Sequence, residues 1–254
     1  MQSCVQFLAH YHAQHLGADD DDRFVGIHES FLRELSSMDI DRLDATDRAR
    51  HAPFFSRCQK RYLAIKERSA NARLRALAGS TGPSVAEKIQ DGFDRNAYER
   101  VADLSILVDF GNCQSVVMVG SGAFPATLLW LHDHFPKLRY TGLDIDPGCI
   151  SLAAGLVTAM GIDTIQFALV DGNCYDFDGV DFVYVANHVV PKKAVLQQIA
   201  RSASVRQVVV REPTRRGELM AEAARDDLPP AFAIGAAGAE HGSFMSYDLL
   251  LRRI

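Results

Sequence analysis

The chain has 254 residues, 48% of them hydrophobic and 23% charged, with a formal net charge of −5. That length suits one large domain or a core domain with a smaller one, and the composition is that of an ordinary globular protein. The acidic balance excludes the basic footprint of a nucleic-acid binder, and no stretch approaches the roughly 20 apolar residues that span a bilayer. Five cysteines without a C-x-x-C pair read against a disulfide framework or a structural zinc site, so no metal site is expected. The first 22 residues lack a basic segment followed by a long apolar run, which reads against a signal peptide. A cytoplasmic protein with reduced thiols is the expectation.

Val5 to Ala9 open a short helical pattern that ends by Gly17. The acidic run Asp19 to Asp22 suits a solvated turn or a helix N-terminus, where carboxylates meet the positive end of the dipole. Phe24, Ile27, Phe31, Leu32 and Leu35 recur at the spacing of one buried helix face. Phe54, Phe55, Cys58, Tyr62, Leu63 and Ile65 predict a further helix with Pro53 near its start. Leu74, Leu77 and Gly79 mark its end or that of a successor, and Ser80-Thr81-Gly82-Pro83 continues the break. Ser84, with Glu87 three residues later, has the form of a capping box. A helix is predicted from Ala97 to Asp109, broken by Gly111-Asn112.

After residue 112 the rhythm changes. Ser115 to Val119, Arg139 to Asp144, Ile165 to Leu169, Asp181 to Ala186 and Gln207 to Arg211 predict strands, and Phe244 to Leu251 predicts a last one. Helical stretches around Leu128–Leu131, Pro147–Met160 and Lys192–Arg201 alternate with them. That alternation predicts βαβ units and a parallel sheet. A helical cap domain is therefore expected over residues 1–112, and a Rossmann-like domain over 113–254.

The sharpest local signal is VVMVGSGAFP, residues 116–125, where a buried strand runs into a glycine turn and then a helix. Gly120 and Gly122 permit tight backbone geometry and close ligand approach. Some 22 residues beyond Gly122 comes Asp144, at the tip of the second strand, the usual position for holding ribose hydroxyls. Asp146 suits a cap on the next helix. Asp171 follows the third strand, where a contact to an adenine amino group is expected. The three signals fit a dinucleotide or S-adenosylmethionine. A dinucleotide fingerprint wants a third glycine where Pro125 stands, which favours a ligand without pyrophosphate. The expected ligand contacts are Gly120, Ser121, Gly122 and Pro125 in the first loop and Asp144 and Ile145 after the second strand. Asp171 and Gly172 follow the third, and Ala186 and Asn187 the fourth.

VGSGAFPATLLWL resembles the segment of nicotianamine synthases in which V/I-G-S-G-P-L-P-L-T follows the first strand. GLDIDPGCISLAAGLV, VDFVYVANHVVPKKAVLQQI and VVVREP resemble later parts of the same family, and the likeness spans roughly residues 98–250. In size the chain is similar to the family's bacterial members, the synthases of opine metallophores such as staphylopine and pseudopaline. The resemblance implies an α/β fold: a Rossmann-like, class I S-adenosylmethionine-dependent methyltransferase-type domain with an N-terminal helical domain. It implies S-adenosylmethionine as co-substrate and transfer of its 3-amino-3-carboxypropyl (aminobutyrate) group to the amine of an amino acid, histidine in those relatives, releasing methylthioadenosine. The chain departs from the pattern. Tyr98 matches a family tyrosine, but Ser105 stands where archaeal and plant members have a glutamate, and Ala123 replaces the first proline of the P-L-P-L-T segment. An aromatic residue beyond the last arginine is missing too. These losses read against repeated condensation, and so against nicotianamine itself.

An attacking amine must lose a proton, so a base is needed. The catalytic candidates are Tyr98, Glu99, Tyr175 and His188, with Glu212 a further base. Tyr175 offers a ring face to the sulfonium. His188 and Arg211, at the ligand edge of the sheet, are expected to contact the substrate, Arg211 through a carboxylate. The helical region suits a lid that excludes water. The expected partner is a small-molecule amino acid, with no nucleic acid and no membrane; a homodimer is left open. Three alternatives stay open: a cyclase in which the amine of S-adenosylmethionine attacks its own γ-carbon to give azetidine-2-carboxylate, a conventional small-molecule methyltransferase, and a non-catalytic binding protein.

Overall fold

The computed structural model describes residues 4–40, 43–79, 84–89, 93–240 and 245–254. Among the described residues, α-helices come first: α1 (Cys4–Leu16), α2 (Asp21–Ser37), α3 (Ala45–Leu77), α4 (Val85–Lys88), α5 (Phe93–Glu99) and α6 (Leu104–Leu107). Strands and helices then alternate: β1 (Ser115–Val119), α7 (Ala126–His134), β2 (Arg139–Asp144), α8 (Pro147–Ala159), β3 (Ile165–Leu169), β4 (Phe182–Val185), α9 (Lys192–Arg201) and β5 (Gln207–Pro213). A short 3-10 turn at Gly217–Leu219 precedes β6 (Phe232–Ala237) and β7 (Ser246–Arg253). No helix among the described residues is long and apolar enough to cross a membrane.

Local chemistry sets the helix starts. Asp20 of the acidic run accepts from the Arg23 N–H at 2.8 Å and caps α2. Asp44 does the same for α3 through Asp47 N. Each such cap is worth about 1 kcal/mol. Ser84 and Glu87 form the reciprocal capping box of α4. α3 is one helix of 33 residues, and Pro53 lies inside it rather than at its start. The true start has Asp44 as its cap, and packing of both ends of the helix outweighs the hydrogen bond that Pro53 removes. The helix expected over Ala97–Asp109 is two, because the chain turns between them: Val101 N bonds Tyr98 O and Leu104 N bonds Val101 O. The break at Ser80–Pro83 and Phe244 of the last predicted strand lie outside the described residues.

The sheet order is β3-β2-β1-β4-β5-β7-β6. β1 to β5 are parallel, whereas β7 runs antiparallel to β5 and to β6. The sheet is therefore mixed, not wholly parallel. β6 escaped the sequence pattern because Phe232–Ala237 is mostly alanine and glycine, with a bulge between Ile234 and Ala236. Side chains alternate along β1: Val116 and Met118 join one buried face, Val117 and Val119 the other. The strand order reverses at β1, and the crevice beyond the carboxyl ends of β1 and β4 is the usual ligand position in such sheets.

α3 spans that crevice. Its first half packs with α1 and α2 through Phe55, Phe31, Leu35 and Phe7. Its last turns place Ala70 and Leu74 in the core on one side of the sheet. Between them Asn71, itself buried, donates to Ala123 O at 2.7 Å and to Leu152 O at 2.9 Å. One side chain thus pins the roof helix to the β1–α7 loop and to α8.

Candidate active site

A cavity of about 360 Å³ lies between the carboxyl ends of β1, β2, β4 and β5 and the underside of α3. Its first end is built by loops. Gly120 and Gly122 adopt φ of +78° and +68°. A methyl on Gly120 would stand 2.7 Å from Val189 Cγ2, and one on Gly122 would stand 2.5 Å from Glu67 Oε2. Both positions therefore need glycine on backbone and steric grounds. Gly120 N and Ser121 N donate to Leu143 O, and Gly122 N donates to Asp144 Oδ2 at 2.9 Å. Asp146 caps α8 through Gly148 N at 2.7 Å. Asp171 accepts from Asn173 N at 3.0 Å and keeps its carboxylate exposed at the cavity mouth. The side chain that Gly172 lacks would stand 2.5 Å from Val119 Cγ1.

The second end is built by side chains from distant elements. Arg211 on β5 faces Asp248 on β7 in register. Its Nε and Nη2 bond Asp248 at 2.8 and 2.7 Å, and Nε also bonds the Tyr184 hydroxyl at 2.9 Å. All three residues are buried. Arg100 lies close by, and burial brings its guanidinium down to about 10, the Arg211 charge adding to the fall. Glu67, on α3, accepts from Ala123 N at 2.9 Å. Burial pushes its carboxyl up to about 7, the backbone N–H groups of Ala123 and Phe124 pulling the other way. His188 is driven down to about 3 by burial and by the charges of Lys192, Lys60 and Arg100, so its ring is neutral at any working pH.

Among the described residues, the buried side-chain atoms on this wall without a hydrogen-bond partner include Ser121 Oγ, Thr127 Oγ1, Asn187 Oδ1, His188 Nδ1, Arg211 Nη1 and Ser246 Oγ. A buried polar group left unpaired costs about 1–3 kcal/mol. Their gathering around one cavity is the signature of groups that pair with a ligand. The chemistry on offer is a carboxylate grip at Arg211 and Arg100, hydroxyl acceptors at Asp144, and a proton acceptor near neutrality at Glu67.

The wall brings together Gly120, Ser121, Gly122, Asp144, Ile145, Asp171, Gly172, Ala186, Asn187, His188 and Arg211 of the sequence-predicted residues. Four others fall away from it. Pro125 sits at the N-terminus of α7. The Tyr98 hydroxyl donates to Asp133 Oδ2 at 2.5 Å, and Asp133 also takes Val85 N, so this tyrosine ties α5 and α4 to α7. Glu99 is exposed and pairs with Arg95. Tyr175 packs on Phe177 in the opposite core. Glu212 also points elsewhere, accepting from Ala224 N. Sequence reasoning missed Glu67, Arg100, Tyr184, Ser246 and Asp248. For Glu67 a signal existed: Leu63, Glu67, Ala70, Asn71 and Leu74 follow helical spacing, which puts a carboxylate in a buried stripe.

No family model and no curated protein sequence matches the chain. Solved structures do. A Glu-to-Gln variant of MtNAS, a nicotianamine synthase, in complex with S-adenosylmethionine shares 18% identity over 99% of this chain and 99% of its own, with a TM-score of 0.75. MtNAS in complex with MTA and tNA shares 17% identity over 98% of this chain and 96% of its own, with a TM-score of 0.76. The magnesium protoporphyrin IX methyltransferase ChlM from Synechocystis PCC 6803, with bound S-adenosylmethionine, matches over 73% of this chain and 97% of its own at 16% identity and a TM-score of 0.51. The likeness to MtNAS thus extends through the helices as well as the sheet, and the sheet is Rossmann-like, of the class I methyltransferase type.

Proposed function

We propose that the chain is a nicotianamine synthase-like enzyme that moves the 3-amino-3-carboxypropyl group of S-adenosylmethionine to the amine of an amino acid and releases methylthioadenosine. The observation that carries this reading is the second end of the cavity. A methyl transferase needs only an open path to one methyl carbon. Here α3 roofs the cavity, and buried cations, unpaired hydroxyls and a near-neutral carboxylate line the part beyond the glycine loop. That equipment suits the charged aminobutyrate arm and the carboxylate of an acceptor.

The residues fit the co-substrate. Asp144 would accept from the ribose hydroxyls, Asp171 from the adenine amino group, and the unpaired Ser121 and Asn187 groups supply further partners. When bound, S-adenosylmethionine supplies an activated carbon next to sulfur. The protein's part is to orient that carbon, exclude water and take a proton. Arg211, locked by Asp248 and Tyr184, keeps Nη1 for a carboxylate. Glu67 takes the proton of the attacking amine, a role its position near pH 7 allows. The two cations beside one another, Arg100 and Arg211, match the two carboxylates that donor and acceptor bring together. Histidine as acceptor and a place in opine metallophore synthesis rest on the sequence resemblance, and so does the family assignment together with the fold.

Mass spectrometry of the sulfur product tests the reading. The expected product is methylthioadenosine, formed with S-adenosylmethionine and an amino acid, histidine first. S-adenosylhomocysteine would make the protein a methyltransferase. Methylthioadenosine with azetidine-2-carboxylate from S-adenosylmethionine alone would make it the cyclase.

A further inference from the structure

A hydrogen-bonded row of side chains runs from the helical region to the cavity wall. His15 Nδ1 lies 2.7 Å from Tyr11 O, His15 Nε2 lies 3.0 Å from His28 Nδ1, and His28 Nε2 lies 2.7 Å from the side-chain amide of Gln59. Gln59 lines the cavity beside Lys60. His28 is fully buried and His15 is 5% exposed. Phe24, Phe31, Phe54 and Phe55 surround His15 at ring distances of 5.3–6.2 Å.

The protons on this row can be placed by elimination. A carbonyl only accepts, so His15 Nδ1 carries a proton. Both rings are driven below their ordinary value by burial, His28 to about 4, so both are neutral. The charges that act on them, Glu29 and Arg61, are engaged at the surface with Lys66 and Asp21. Neutral His15 then has a bare Nε2, which His28 Nδ1–H must face. His28 in turn has a bare Nε2, which needs a donor. Gln59 must therefore turn its NH2 toward His28 and its carbonyl oxygen toward the cavity, the reverse of the assignment in which Oε1 meets His28. The other arrangement requires an imidazolium buried among aromatic rings.

His188 presents a second bare acceptor on the same wall. Its ring is neutral, it has a hydrogen bond to the backbone of Met220, and its buried Nδ1 has no partner. Lys60 is near enough to act on that ring. Gln59 stands two helical turns from Glu67, about 12 Å along α3 at the usual rise per residue. We propose that Gln59 and His188 present two acceptors from the cavity wall that select a second substrate bearing a side-chain N–H or O–H donor, with Gln59 held in a single flip by the His28–His15 row. This deepens the transferase reading and rests on it.

Two measurements test it. Long-range proton–nitrogen NMR of the whole protein, isotope-labelled at histidine nitrogen, reports the tautomer of His28, assigned as the signal lost in His28→Gln. A proton on Nδ1 with Nε2 bare supports the flip; a proton on Nε2, alone or with Nδ1, overturns it. Kinetics then compare the acceptor found in the product assay with an analogue of like shape that lacks the donor, such as thienylalanine for histidine. Gln59→Met should raise the KM of the donor-bearing acceptor about fivefold to tenfold, leave the KM for S-adenosylmethionine alone, and erase the preference over the analogue. Gln59→Glu, which keeps an oxygen on the cavity side, should restore most of it. An acceptor KM unmoved in Gln59→Met overturns the proposal. A wild-type protein that makes no methylthioadenosine with any amino acid overturns the transferase reading instead, and the tautomer still decides the flip.

Discussion

The two ends of the cavity hold their polar groups in different ways. At the glycine-loop end the acids sit at or just beyond strand ends and are fixed by backbone N–H groups of nearby loops: Asp146 by Gly148, Asp171 by Asn173, with Asp144 at the end of β2 bonded across to Gly122. They stay partly wet and bind by adding acceptors at an open rim. At the other end Glu67, Arg100, Tyr184, Arg211 and Asp248 come from α3, the turn after α5, β4, β5 and β7, and only tertiary packing brings them together. There, charges are taken out of water, where each is worth more and each orphan costs more. The wet end suits recognition of a common ligand, and the dry end suits chemistry that must exclude water.

The comparison breaks most sharply at Glu67. Glu67→Gln should lower kcat by about 10²–10⁴ if the carboxylate is the general base, while the affinity for S-adenosylmethionine measured by calorimetry stays within a few-fold of wild type. In the wild type, kcat/KM should rise with pH and level off above a midpoint near 7, where the free carboxyl ionises. The sign for stability is opposite. Because the folded value lies above the ordinary one, the contribution of Glu67 is present at low pH and lost as pH rises through 7. The variant should therefore match the wild-type Tm at pH 5 and equal or exceed it at pH 8 without ligand. A Tm that falls equally at both pH values would make Glu67 a structural acceptor for Ala123 N and not a base held under strain of burial.

Asp248→Asn sharpens the contrast between dry and wet charges. It removes the counter-charge of a fully buried guanidinium, so the cost should be about 3 kcal/mol, the low end for breaking a buried pair, because Asn keeps one acceptor. Denaturant unfolding reads this directly. A loss below about 0.5 kcal/mol would put the pair in the class of exposed ion pairs.

These contrasts also explain what was legible in the amino-acid order. The β1 strand, its glycine turn and Asp144 fall within some thirty consecutive residues, so spacing alone reveals them. Of the five parallel strands, β1, β4 and β5 announce themselves through valine-rich runs and β2 and β3 through their alternation with helices, while β6 hides in a small-residue stretch whose only cue is pairing with β7. Asp248 is one acid ahead of an apolar run, and nothing local says that β7 will lie antiparallel with Arg211 opposite. Tyr98 shows the converse. A motif match drew attention to it, but its hydroxyl is taken by Asp133, and the charged side chain near that helix that lines the cavity is Arg100, two residues on.

The smallest expected effect belongs to Asp144. Asp144→Asn keeps one acceptor for Gly122 N and loses the one that takes Asp146 N at 3.0 Å, at a partly exposed site. Stability should change by less than about 1 kcal/mol. What it should lose is the charge that strengthens bonds from two ribose hydroxyls, worth about 1.5–3 kcal/mol, so the Kd for S-adenosylmethionine should rise about tenfold to a hundredfold. The same rise is expected for methylthioadenosine, because the adenosyl half is common to both, and kcat at saturation should hold. If Asp144→Asn lowered kcat and left both affinities alone, the division of labour between a wet recognition end and a dry reactive end would fail at its simplest point. The proximity of Asp144 to Glu67, whose carboxyl it helps to raise, would then be the reason to look for a shared proton between them.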